Sequence, residues 1–302
     1  MMTQRILPAL LFLASGLLAA EDPPVVRLTT DGLDKERPAW SADGRRLLFS
    51  KQDATGSAIW LHVLEPSTGG PAQIRRLTDR KPPEYHGVFS PDGSQVLFVA
   101  ITLSGTQGNL DIVSVRSDGS SLSKVTNDGG KLVHQDWPAW SPDGQRFAFS
   151  STHDGNQELY VANLDGTNVV RLTQSPGVDT HPCWSPDGRW VAFATDRWGG
   201  LELARVKPDG TGLERLTRSP GLDDYPAWSP DSTRLAFVSN RDGHFEIYLA
   251  DADGSHPVNL SRHPGRDSFP TWTPDGRGIT CVSDRGGGPD LYTLPVPTSP
   301  RE

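Results

Sequence analysis

Helical periodicity is missing from this sequence. Outside the extreme N-terminus, no long stretch of the 302 residues places apolar side chains at helical spacing, so the expected class is all-β. Cysteine is scarce, at two residues, which excludes a scaffold built on disulfides. Catalytic signatures are lacking as well. There is no Gly-x-Ser-x-Gly elbow, no His-Glu-x-x-His and no phosphate-cradling glycine loop. Positive charge is in deficit: 29 Lys and Arg against 37 Asp and Glu leave a formal charge of −8. That balance argues against nucleic acid and anionic lipid as partners and suits a cationic one.

What the chain does contain is a repeated phrase. Tyr225-Pro226-Ala227-Trp228-Ser229-Pro230-Asp231 recurs around the aromatic anchors Trp40, Phe89, Trp140, Trp184, Trp228 and Trp272, spaced 49, 51, 44, 44 and 44 residues apart. A fixed period in this range marks a repeat architecture. Each unit reads as four strands: a Pro-Ala-Trp-Ser strand, a Leu-Ala-Phe strand, an Ile-Tyr-Leu strand and an Arg-Leu-Thr strand. Ser-Pro-Asp-Gly turns join the first two, and Asp-Gly turns such as Asp165-Gly166 and Asp209-Gly210 join the last two. Ser229-Pro230-Asp231-Ser232 lacks the glycine and is expected to be slightly strained. Six such units predict a six-bladed β-propeller of four-stranded antiparallel blades. The last unit lacks its Arg-Leu-Thr strand, while Val25-Val26-Arg27-Leu28-Thr29 has no blade before it. The N-terminal strand is therefore expected to complete the sixth blade and close the ring, which removes open sheet edges.

The expected organisation is a signal peptide over 1–20, the propeller over 21–294 and a Pro-rich tail over 295–302. The leader reading rests on Arg5, the apolar run Ile6 to Leu18 and the small residues Ala19-Ala20. Cleavage would remove only Arg5 among charged residues, taking −8 to −9. The apolar run is too short to span a bilayer, so a periplasmic or secreted protein with no stable membrane insertion is expected, as a monomer. Cys183 and Cys281 fall at core positions of non-adjacent units and read as buried thiols rather than a bridge. Units one and two carry insertions at about 52–57, 65–74, 79–86 and 101–109, which are either functional loops or drift.

The candidate site lies just ahead of the repeated phrase, where the copies stop agreeing. Three residues before the Pro position stand Lys35, Glu84, Gln135, Asp179, Asp223 and Asp267, with Asp136 and Asp224 adjacent. One residue before it stand Arg37, His86, Trp137, His181, Tyr225 and Phe269. In a propeller the first strand lines the central channel, so these residues are expected as a mostly acidic, partly aromatic ring at one mouth. Such a ring receives a basic or N-terminal peptide segment or, as the one cofactor option, calcium; alternatively each Asp caps its own loop. A second acidic series, Asp111, Glu158, Glu202, Glu246 and Asp290, precedes the third strand and is expected to salt-bridge Arg197, Arg241 and Arg285 within the hairpin.

These phrases, above all Arg215-Leu216-Thr217, Asp223 to Trp228, Leu235-Ala236-Phe237 and Ser239-Asn240-Arg241-Asp242-Gly243, resemble the TolB-type β-propeller repeat of bacterial exported proteins. The resemblance covers about residues 25–294. It implies a non-catalytic binding or scaffold role with a protein partner in the cell envelope, the family's partner being a peptidoglycan-associated lipoprotein. It also implies a separate N-terminal α/β domain, for which repeats starting directly after the leader leave no room. His86 and His181 resemble the metal-binding histidines of the oligogalacturonate lyases, which share the repeat type. This gives the alternative reading: a metal-dependent carbohydrate lyase or hydrolase with its site at the channel mouth.

Overall fold

The computed structural model describes residues 24–63, 73–78, 83–104, 107–126 and 133–297. The proposed leader, most of the Pro-rich tail and parts of the insertions in the first two units lie outside them. Among the described residues there is no helix, and so none long and apolar enough to cross a membrane. The strands form six four-stranded antiparallel sheets, one per repeat. In the sixth, Val26–Arg27 pairs with Asp290–Pro295, with Val26 opposite Thr293 and Arg27 opposite Tyr292. The N-terminal strand thus closes the ring, as its orphaned phrase implies.

Burial explains why the blades stack. The second strand of each blade is buried on both faces, with side chains alternating between two neighbours. In blade one, Leu47 and Phe49 meet Val282 and Leu291 of blade six, while Leu48 packs with Val96 and Phe98 of blade two. The anchors lie between blades and tie them by hydrogen bonds as well as area. The indole N–H groups of Trp140, Trp228 and Trp272 donate to the carbonyls of Val88, Cys183 and Ala227 in the preceding blade, at 3.2, 3.2 and 3.0 Å. Five of the six inner-strand turns place glycine at φ between 68° and 73°, and Ser232 holds the sixth at 61°.

The polar stitching differs from the expected pairing. The third-strand carboxylates bond the Arg-Leu-Thr strand, not the loop arginines. Glu202 takes Arg215 at 2.5 Å, and Glu158 takes the Thr173 hydroxyl at 2.7 Å. Asp290 repeats this across the closure, accepting from Arg27 at 2.6 Å and Thr29 at 2.7 Å, with the buried Lys35 ammonium at 3.0 Å. Arg197, Arg241 and Arg285 instead reach back to Asp179, Asp223 and Asp267 at the start of their own blade's inner strand. The third-strand carboxylate stands only five residues on in the chain and the inner-strand aspartate eighteen back, yet strand pairing brings each arginine to the aspartate. Both cysteines are free; Cys281 is fully buried, and Cys183 is partly buried and lines the channel.

Candidate functional site at the channel

A bulge in every inner strand builds the channel lining. In blade three, Asp136 faces Ser150 and Ala139 faces Ala148, so the inner strand carries one extra residue between them. The same shift occurs in all six blades. The residue before the Pro position absorbs it in the left-handed region: Arg37, His86, Trp137, His181, Tyr225 and Phe269 have φ between 45° and 56°. Non-glycine residues rarely adopt this conformation, and a following proline normally opposes compact backbone. The proline also lacks an N–H and so leaves no ladder donor unpaired at the bulge. In blade two, where glycine replaces proline, the His86 amide donates to the Ser50 hydroxyl of blade one at 2.8 Å.

The bulge divides the expected ring into three levels. At the first, Glu84, Asp179, Asp223 and Asp267 point into the blades with no exposed surface. Asp223 and Asp267 hold Arg241 and Arg285 through both carboxylate oxygens at 2.9 to 3.0 Å, Asp179 holds Arg197 at 2.6 Å, and Glu84 is bonded by Thr78. These side chains sit inside the sheets and not at a mouth.

At the second level, Glu36, Tyr85, Asp136 and Asp224 surround one mouth. Asp136 and Asp224 each accept from the amide of the following residue, at 2.6 and 2.7 Å, and each contacts a histidine of the preceding blade, Asp136 with His86 and Asp224 with His181. His86 lies between two carboxylates, with Nδ1 2.8 Å from Asp136 and Nε2 3.3 Å from Glu36. Burial alone would lower its pKa, but these two carboxylates outweigh that and raise it. Burial would raise Asp136, yet His86 and the Trp137 amide hold it low. Burial, with Asp224 and Glu36, pushes the Tyr225 phenol up. A cavity of about 360 Å³ adjoins this mouth, lined by Asp34, Glu36, Tyr85, Arg266 and Asp284 among others.

At the third level, the left-handed residues meet across the channel. Trp137 neighbours the other five: its ring lies 3.7 Å from His86, 4.2 Å from His181, 5.5 Å from Tyr225 and 6.3 Å from Phe269, centroid to centroid, with the Arg37 guanidinium 5.2 Å above it. Tyr225 links His181 and Phe269 at 4.3 and 4.6 Å. The result is a plug on the channel axis rather than an open aromatic ring. Of the expected residues, His86, Asp136, His181, Asp224 and Tyr225 therefore come together, while Glu84, Asp179, Asp223 and Asp267 do not join them. Glu36 and Tyr85 lie outside the expected set, although Glu36 stands two residues before its proline, in phase with Asp136 and Asp224. Among the described residues, no three His, Cys, Asp or Glu side chains converge in a metal-holding group.

Comparison with known proteins agrees with this architecture. The sequence matches the family described as TolB beta propeller domain over residues 133–223 and 211–300, more than half of the chain. It is 31% identical to the Tol-Pal system protein TolB of Thioalkalivibrio sulfidiphilus over 94 residues, covering 31% of this chain and 21% of that one. The chain spans less than half the length of the curated relatives it matches. The structure of a putative TolB from Agrobacterium tumefaciens superposes with a TM-score of 0.67 at 24% identity, covering 88% of this chain and 91% of that one. An oligogalacturonate lyase in complex with manganese superposes with a TM-score of 0.61 at 16% identity, covering 91% and 93%. At these identities both superpositions speak to the fold alone.

Proposed function

This chain belongs to the TolB beta-propeller family, and from that premise we propose that it is an exported, non-catalytic module that holds a protein partner in the cell envelope. Its working surface is the mouth around Glu36, Asp136 and Asp224, and the partner segment it receives is cationic. The observation that carries this reading is the pairing of an acidic mouth with a plug directly beneath it. Three carboxylates face one opening, and Trp137 blocks passage below them. A ligand is thus presented with charge at a closed surface, which suits docking better than transit. Charge complementarity of this kind sets association rate and specificity. The lyase alternative gains no specific support, because each histidine is taken up by a carboxylate and packs against Trp137.

The test uses a photo-crosslinking amino acid at Tyr85 and a fluorescent lysine-rich peptide. Binding at low salt that weakens as salt rises, crosslinks at the mouth, and loss of both in Glu36→Gln/Asp136→Asn/Asp224→Asn support the reading. Peptide binding unchanged in that triple variant overturns it.

A further inference from the structure

The plug leaves a second chamber on the side of the Ser-Pro-Asp-Gly turns. It is a cavity of about 420 Å³, within the range of roughly 300–1,000 Å³ typical of small-molecule sites. Prolines and small residues wall it, among them Pro38, Ala139, Pro182, Ala227 and Pro270, with the indoles of Trp40, Trp140 and Trp184 beside them. Such a lining favours an apolar body.

One permanently charged group lines this chamber, the Arg37 guanidinium. Arg37 is only partly exposed and spans the channel, donating to the carbonyls of His86 at 3.3 Å and Pro138 at 2.6 Å. A guanidinium offers five N–H donors, so these two bonds leave donors over. Among the described residues, no carboxylate stands within ion-pairing distance of Arg37. The charge that acts on it most is Asp136, which is itself engaged by His86 and by the Trp137 amide. Burial pulls the guanidinium down to about 10, the response of a cation short of a counter-charge. A cation held in an apolar enclosure is costly unless an anion meets it.

We propose that this chamber binds a small apolar carboxylate, its head on Arg37 and its hydrocarbon body among the prolines and indoles. The site lies on the far side of the plug from the acidic mouth and does not rest on the role proposed for that mouth.

Octanoate is the probe and octanol its uncharged control. Two signals read the chamber in the wild-type protein: indole fluorescence, and alkylation of Cys183 by a maleimide. Cys183 lines the cavity whereas Cys281 is fully buried, so alkylation of the native chain reports on the chamber. Octanoate should bind saturably and at least about tenfold more tightly than octanol, as expected for a charge-assisted hydrogen bond. Saturating octanoate should slow alkylation by about tenfold. Arg37→Gln keeps a donor for the Pro138 carbonyl but drops the charge. It should bring octanoate affinity down to that of octanol and leave octanol binding unchanged. Equal binding of octanoate and octanol to the wild type, or unslowed alkylation, overturns the proposal. So does a folded Arg37→Gln protein that binds octanoate as the wild type does. If that variant does not fold, the two wild-type measurements decide.

Discussion

Asp223 and Asp224 are neighbours in the chain and occupy opposite environments. Asp223 has no exposed surface and clasps Arg241 with both oxygens inside blade five. Asp224 faces the channel and contacts His181 of the preceding blade. One belongs to the interior of a blade, the other to the surface that all blades share. Aspartate at the first position recurs in blades four, five and six, always with an arginine eighteen residues later. At the next position the same blades carry Thr180, Asp224 and Ser268. Repetition follows what every blade needs in order to fold, and divergence begins where side chains leave the blade.

The strongest way to break the interior side of this comparison is at the closure. Asp290 gathers Arg27 and Thr29, as Glu158 gathers Arg171 and Thr173 in blade three, and adds the buried Lys35 ammonium. Asp290→Ala should cost about 3 kcal/mol, because it takes from the buried Lys35 one of its two carboxylates, Asp31 being the other, and loosens the strand that closes the ring. Urea denaturation measures it. The pH dependence has a definite sign. Burial would raise this carboxyl, but Thr29, Arg27 and Lys35 hold it at about 2. With the unfolded value near 3.9, its contribution is present above about pH 4 and is lost as pH falls towards 2. The stability gap between wild type and Asp290→Asn should close over that window.

The paired substitutions Asp223→Ala and Asp224→Asn test the one-residue contrast directly. Asp223→Ala should cost about 3 kcal/mol, since it leaves Arg241 without its partner. Asp224→Asn should cost about 1 kcal/mol or less while weakening capture of a cationic peptide. Equal losses of stability would dissolve the distinction between interior and mouth.

His86 sharpens the comparison from the channel side. It faces Asp136 and Glu36, with Arg37 opposing them, and its net pKa is raised. A raised histidine stabilises the fold fully below its unfolded value, near 6.5, and loses that contribution as pH rises through the folded value. The gap between wild type and His86→Gln should therefore be widest near pH 5.5, at about 1 kcal/mol, and narrow above neutrality. A gap that is flat in pH would mean that His86 serves packing alone.

The fold was legible because each blade repeats its own instructions. Trp228 and Ser229 each recur in four of the five other copies and Asp231 in all five, and the orphaned Val25 to Thr29 phrase announces the closure. The channel was legible only in part. Asp223 and Asp224 look equivalent in sequence, and their separation depends on the bulge that sets Tyr225 in the left-handed region just before a proline, a conformation that sequence preferences argue against. Glu36 escaped for a related reason. It stands beside Lys35, where the aspartate of blades four to six is replaced by a lysine, so the first unit does not read as acidic. The plug could not be foreseen either, because Trp137 meets four rings from four different repeats only after the ring has closed.

The smallest expected effect tests whether repetition is architecture down to a single turn. Ser232 takes the place that glycine holds in the five other turns of its kind, at φ 61°. Replacing it with glycine removes a left-handed conformation that costs a side chain roughly 1 kcal/mol, though it adds freedom to the unfolded chain. The hydroxyl also accepts a hydrogen bond from the Asp187 amide of blade four at 3.1 Å. Being solvent-exposed, that bond is readily replaced by water. Relief of strain should therefore prevail, and Ser232→Gly should stabilise the protein by about 0.5 kcal/mol. Chemical denaturation with Ser232→Ala alongside separates the two terms, since alanine loses the hydroxyl and keeps the strain. If alanine is neutral and glycine stabilises, the turn wants its repeated residue. If both destabilise equally, the bond to Asp187 outweighs the backbone, and blade five has exchanged the common turn for a tie to its neighbour.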